Sequence, residues 1–182
     1  MTPPRDVYVI DTGPLSAFAE AQYLGVLKTL LSEYEVLIPD VVAEEMREGL
    51  AQRPHLHAVL DAEWISTVDL VTPEQLRAFA FYTGHLLGPD GKNKGECGVL
   101  ALAETSPSNT TALVDDRVAL NLARSRRIPV RRTLGLLCEA IHEGLLTMPL
   151  VSAMADDLNR KHYRFPFGVG GFADWAKSAG AL

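Results

Sequence analysis

The chain has 182 residues, 47% hydrophobic and 22% charged, a balance expected of a soluble globular protein long enough for one full core. No apolar run approaches the ~20 residues that cross a bilayer, and the opening Met1-Thr-Pro-Pro-Arg-Asp6 shows no signal-peptide pattern. Seventeen Lys and Arg against 23 Asp and Glu give a formal net charge of −6, which argues against a strong nonspecific nucleic-acid binder.

In chain order, Val7-Tyr-Val-Ile10 is a continuous, largely β-branched apolar run that suits a strand buried on both faces of a parallel sheet. Asp11 ends it, so its carboxylate belongs at the carboxyl edge, where open α/β sheets bind ligands. Gly13 and Pro14 then turn the chain into a helix, which leaves a second role for Asp11 as a simple helix cap. Residues 17–33 carry Leu24, Leu27, Leu30 and Leu31 at helical spacing, predicting one or two helices. Residues 36–39 predict a second strand, 40–49 a helix carrying Glu44, Glu45 and Glu48, and 54–60 a short helix. A third strand falls at 64–70, and Thr72-Pro-Glu-Gln75 starts a helix that runs to about residue 87.

Gly88-Pro-Asp-Gly-Lys-Asn-Lys-Gly95 is the strongest loop signal in the chain. It delivers Glu96 to the start of an apolar helix through residue 103. A fourth strand, 111–114, ends at Asp115 and Asp116; a helix to 126, a short strand at 128–130 and a helix over 134–143 follow. The tail holds a helix over 149–161 and a Gly- and aromatic-rich closing segment, Arg164-Phe-Pro-Phe-Gly-Val-Gly-Gly-Phe172, lying against the domain edge. Its glycines make no phosphate loop, because no strand leads into them. Cys97 and Cys138 read as buried thiols of a reducing, cytoplasmic protein, and His55 and His57 as surface residues. Strands alternating with helices at this rhythm predict a three-layer α/β/α sandwich, Rossmann-like, around a parallel sheet of four to five strands.

Carboxylates thus fall at strand ends or helix starts in four places: Asp11, Glu44 or Glu45, Glu96, and Asp115 or Asp116. In a doubly wound sheet the ends of the first and fourth strands are neighbours at the switch point. Carboxylates gathered there repel unless protonated or bridged by a cation. An all-oxygen set selects a hard ion, Mg2+ or Mn2+, which polarises a phosphate and acidifies water.

Four segments in this order resemble the PIN domain, the fold of many metal-dependent ribonucleases, including the toxins of VapBC-type toxin–antitoxin pairs. They are Val9-Ile-Asp-Thr-Gly-Pro-Leu15, Ile38-Pro-Asp-Val-Val-Ala-Glu-Glu-Met46, Gly95-Glu-Cys-Gly-Val-Leu-Ala-Leu-Ala103 and Leu113-Val-Asp-Asp-Arg117. Arg132-Thr-Leu-Gly-Leu-Leu137 and Glu143-Gly-Leu-Leu146 match a subgroup of uncharacterised prokaryotic PIN proteins. The resemblance implies a nuclease domain over 1–146, with 147–182 as an extension packed on it. It implies Asp11 and Glu96 as metal ligands, Glu45 in preference to Glu44, and both Asp115 and Asp116 as candidates, with Asp116 favoured for the catalytic role. It further implies Thr12 as orienting a ligand or water, Arg117 as a substrate contact, and RNA, an antitoxin and a second copy of the chain as partners; Lys92 and Lys94, in the loop just before Glu96, are placed to meet the substrate backbone. Arg124, Arg126, Arg127, Arg131 and Arg132 are further basic candidates for the RNA backbone.

Two other classes compete. A haloacid-dehalogenase-like phosphatase wants a second Asp two residues after the first, where this chain has Gly13. A non-catalytic PIN-type module binding RNA or protein has no use for a set of repelling carboxylates. The Asp11-Thr-Gly13 signature of aspartic proteases would need a second such loop on an all-β fold.

Overall fold

A computed structural model describes residues 5–161 and 163–181; the lead-in before Arg5 lies outside the described residues. Five parallel strands form one sheet in the order β3-β2-β1-β4-β5: β1 Val7–Ile10, β2 Glu35–Pro39, β3 Ile65–Val68, β4 Thr110–Leu113 and β5 Val130–Arg131. The apolar run of β1 takes the central place, and all four of its residues are buried. It pairs with β2 from Val7 opposite Glu35 and with β4 from Val7 opposite Thr110. The chain winds outward from β1 through β2 to β3, then crosses back to β4 and continues to β5. The connections therefore diverge between β1 and β4, the switch point anticipated from the strand count.

Helices α1 (Thr12–Glu20) and α2 (Leu24–Leu30) join β1 to β2, and α3 (Asp40–Gly49) and α4 (His57–Leu60) lead to β3. Helices α5 (Pro73–Leu86) and α6 (Lys94–Thr105) return to β4, and α7 (Arg117–Ser125) leads to β5. Then come α8 (Thr133–His142), α9 (Met148–Arg160) and α10 (Phe172–Ser178). This is the α/β/α sandwich expected. The start of α5 is fixed by a capping box, with the Thr72 hydroxyl accepting from Gln75 N and the Gln75 side chain accepting from Thr72 N. Helix α10 was not expected. Its seven residues are too few to show a period, and its burial comes from Phe172 and Ala176 rather than from a long apolar stripe. Strand β5 begins two residues later than expected, since Ile128 is spent as core just after α7 and pairing starts at Val130. Among the described residues no helix is long and apolar enough to cross a membrane.

Helix α6 is the most deeply buried helix, with Gly95 and every residue from 97 to 103 out of solvent. Its close approach to β2 and α3 depends on Gly98. A Cβ there would stand 2.3 Å from Val41 Cγ2 and 3.2 Å from Pro39 Cγ. Alanine has a helix propensity ~1 kcal/mol better than glycine, yet Gly98→Ala is expected to destabilise the protein by about 1–3 kcal/mol, because α6 is overpacked. A urea midpoint equal to or above that of the wild type would refute the tight packing.

Candidate functional site

At the carboxyl edge of β1 the Asp11 side chain has two jobs. Its Oδ2 accepts from Gly13 N at 3.3 Å, capping α1. Its Oδ1 is buried and meets no hydrogen-bond partner, as does the neighbouring Thr12 Oγ1. Asp11 thus fills the capping role and still presents an unsatisfied oxygen. Beside it runs Gly95 of α6, where a Cβ would lie 2.8 Å from Asp11 Oδ1 and 2.9 Å from Glu45 Oε2. These two carboxylate oxygens approach the same point from β1 and α3, and only a glycine leaves that space open.

The next residue, Glu96, supplies a third carboxylate. Burial raises the Asp11 carboxyl well above the usual carboxylate range, and the charges of Glu96 and Glu45 raise it further. Burial likewise raises Glu96, with Glu45 and Asp116 adding to the shift. Asp11 and Glu96 are thus each held in a place that disfavours the charged form.

Glu44, one residue from Glu45 and about 100° around the helix, lines the cleft but is turned away from the space at Gly95. It is exposed and pairs with Lys94 at 2.9 Å across the mouth of the cleft. Asp115 and Asp116 also part company. Asp115 accepts from Thr133 N at 2.9 Å and Thr133 Oγ1 at 2.7 Å, and from the Tyr163 hydroxyl. It is built into a polar knot between β4, α8 and the tail. Asp116 caps α7, its Oδ1 accepting from Val118 N and Ala119 N at 2.8 Å each, while its charge bears on Glu96.

Asp11, Thr12, Glu44, Glu45, Glu48 and Glu96 line a cleft of about 510 Å³, together with Asp90, Lys92 and Lys94 of the 88–95 segment. Arg53, which the sequence did not single out, lines it as well. Arg117 is exposed at the start of α7 and is not part of the cleft wall. Arg126 pairs with Glu104 and lies over Phe81, Arg131 pairs with Glu139, and Arg132 stands 3.9 Å from Asp115. His55 is less of a surface residue than expected, since its Nε2 lies 2.8 Å from Ser16 Oγ. The Cys97 thiol is buried and pushed up to about 12, so it is inert at neutral pH.

A family model described as DUF3368, PIN domain, matches residues 7–169. The chain belongs to the PIN-domain family. The match takes in both strands at the switch point and runs through α9. No curated protein matches the chain. PIN domains are nuclease-type modules that typically use divalent metals. Among the described residues of this PIN domain, no three or more His, Cys, Asp or Glu side chains converge closely enough to hold an ion as they stand. The donor chemistry nonetheless suits a hard cation: the acids at the cleft are all oxygen donors, and Asp11 Oδ1 is an orphaned buried acceptor facing the same space as Glu45 Oε2.

Two outcomes follow from this geometry. A carboxyl whose folded pKa is raised keeps a proton that the unfolded chain releases. Stability in EDTA should therefore fall as pH rises from the ordinary carboxylate range through the raised values, then stay flat. Asp11→Asn should remove its share of that fall and be as stable as the wild type at neutral pH, or more so; parallel melts across pH read the difference, and identical profiles would mean Asp11 is not under strain. Tyr163→Phe should lose about 1.5–3 kcal/mol, the worth of a hydrogen bond to a charged group, seen as a lower denaturation midpoint.

Proposed function

We propose that this PIN domain is a divalent-metal-dependent ribonuclease that hydrolyses RNA phosphodiester bonds. The observation that carries the reading is the unpartnered, buried Oδ1 of Asp11 sharing the open space at Gly95 with Glu45 Oε2. A buried acceptor without a donor is costly, and carboxylates crowded together are stabilised most by a cation placed between them. Asp11, Glu45 and Glu96 would hold Mg2+ or Mn2+, and Asp116, at the N-cap of α7, would add its negative charge beside Glu96. The ion, when bound, supplies Lewis-acid stabilisation of charge developing on a phosphate oxygen. The rest is done by the chain. Glu96 and Asp116 orient water by hydrogen bonding, the α3–α6 contact at Gly95 fixes the spacing of the acids, and Lys92 at the mouth meets the substrate backbone. Nuclease domain 1–146 with a packed extension, a paired antitoxin, a homodimer and a cytoplasmic setting complete the proposal.

A non-catalytic RNA- or protein-binding module is the second reading, favoured by the absence of a closed three-carboxylate group among the described residues. The two differ in turnover. Purified protein should cut labelled single-stranded RNA in magnesium or manganese and stop in excess EDTA, with Asp11→Asn inactive as the control for contaminating nuclease. Glu45→Gln should lower the rate about a hundredfold or more. Glu44→Gln removes only an exposed ion pair and should stay within about fivefold of the wild type. Equal losses at the two glutamates in folded variants would refute the site, and binding without any cleavage would establish the second reading.

A further inference from the structure

The cleft that holds the acids also has to receive a polyanion. Six carboxylates line it, from Asp11, Glu44, Glu45, Glu48, Asp90 and Glu96, against three cations. Lys94 is already neutralised by Glu44 at 2.9 Å, and Lys92 is exposed on a loop. The remaining cation is Arg53. It differs from the other arginines of the described residues, because every one of those is exposed and Arg53 is half-buried.

Its placement is built. After α3 the amides of Gln52 and Arg53 both donate to Gly49 O, at 3.2 and 2.9 Å, and the turn folds the side chain back onto the helix end. A Cβ on Gly49 would stand 2.5 Å from Arg53 Nη2 and 3.1 Å from Cζ and Nε, so the guanidinium lies where only a glycine lets it lie. The far side of the turn is anchored by fully buried Leu56 and by the Ser16–His55 hydrogen bond at 2.8 Å to α1. Yet the guanidinium itself makes no hydrogen bond or ion pair with any described residue within the usual limits, although Glu45 and Glu48 line the same cleft.

A planar fork of five donors held in place at an acidic cleft, and left unused by the protein, is suited to a bidentate oxyanion. We infer that Arg53 binds a backbone phosphate of single-stranded nucleic acid, one neighbouring the phosphodiester at the acids, and so draws the strand across the end of α3. The inference rests on the nuclease reading for the identity of the polyanion. Arg53 is a binding residue, and its contact is made equally in ground and transition states, so it acts on KM and leaves kcat alone.

The test measures kcat and KM on labelled single-stranded RNA in magnesium across a salt series, with melting temperatures alongside. Anisotropy of the same strand is measured on the Asp11→Asn versions of each protein. Arg53→Ala should raise KM about tenfold or more with kcat within about twofold, and lower the slope of log affinity against log salt by about 0.7. Arg53→Lys should recover part of the loss, as a point charge cannot match the fork. Gly49→Ala keeps every charge but displaces the guanidinium, and should raise KM with no loss of melting temperature. Unchanged KM and salt slope in Arg53→Ala, or a fall confined to kcat, would overturn the assignment while leaving the nuclease reading intact. A wild type that binds the strand through Arg53 but never cuts it would sink the nuclease reading alone. Failure to bind RNA at all would sink both.

Discussion

A carboxylate in an apolar interior is costly in its charged form unless something compensates it, and Asp11 is only 7% exposed at the middle of the sheet's carboxyl edge. One of its oxygens is compensated by the Gly13 amide; the other meets no hydrogen-bond partner. Glu45 and Glu96 are brought alongside from two other elements, which increases the cost. A fold shaped only for stability would put an apolar side chain or an amide donor at Gly95 and relieve the strain. Here the space is kept, and its two nearest walls are carboxylate oxygens.

Helix α6 is what holds that arrangement together. Gly98 lets it sit against Val41 and Pro39, and one turn earlier Gly95 leaves room for Asp11 and Glu45. Both glycines face α3, three residues apart on one side of the helix. Glu96, next in sequence, is turned by about 100° and adds its charge from the same helix. Packing and electrostatics are therefore coupled here. A shift of α6 away from α3 relaxes the repulsion and enlarges the gap between the acids in the same movement. A cation drawing the acids together would work against that shift, since its gain grows as the helices close.

Much of this was legible in the residues. The apolar run of β1, the loop from Gly88 to Gly95 and the alternation of strands and helices point to a doubly wound sheet, and the order of the acids points to its switch point. Position along the chain says less about direction in space. Only the resemblance prefers Glu45 to Glu44; periodicity and charge do not separate them, and once α3 is set against α6 one faces Lys94 and the other Gly95. Arg53 carries no motif; its role depends on a turn that folds it over Gly49, a contact made by a missing side chain. Helix α10 was hidden because a seven-residue helix has too little sequence to show a period.

The adjacent Asp115 and Asp116 show how far such a decision can lie from the residues it concerns. In an extended chain neighbours point to opposite sides, so at the end of β4 one carboxylate faces α8 and the other the top of α6. Which is which is set by Thr133, 18 residues on, and Tyr163, 48 residues on, both of which donate to Asp115. That tie leaves Asp116 to cap α7 and to bear on Glu96. Tyr163 is half-buried, and desolvation together with the Asp115 charge beside it helps to hold its hydroxyl in the protonated, donating form. The tail is therefore more than a cover for the domain edge: through Tyr163 it adds to the tie that turns Asp115 toward α8 while Asp116 caps α7.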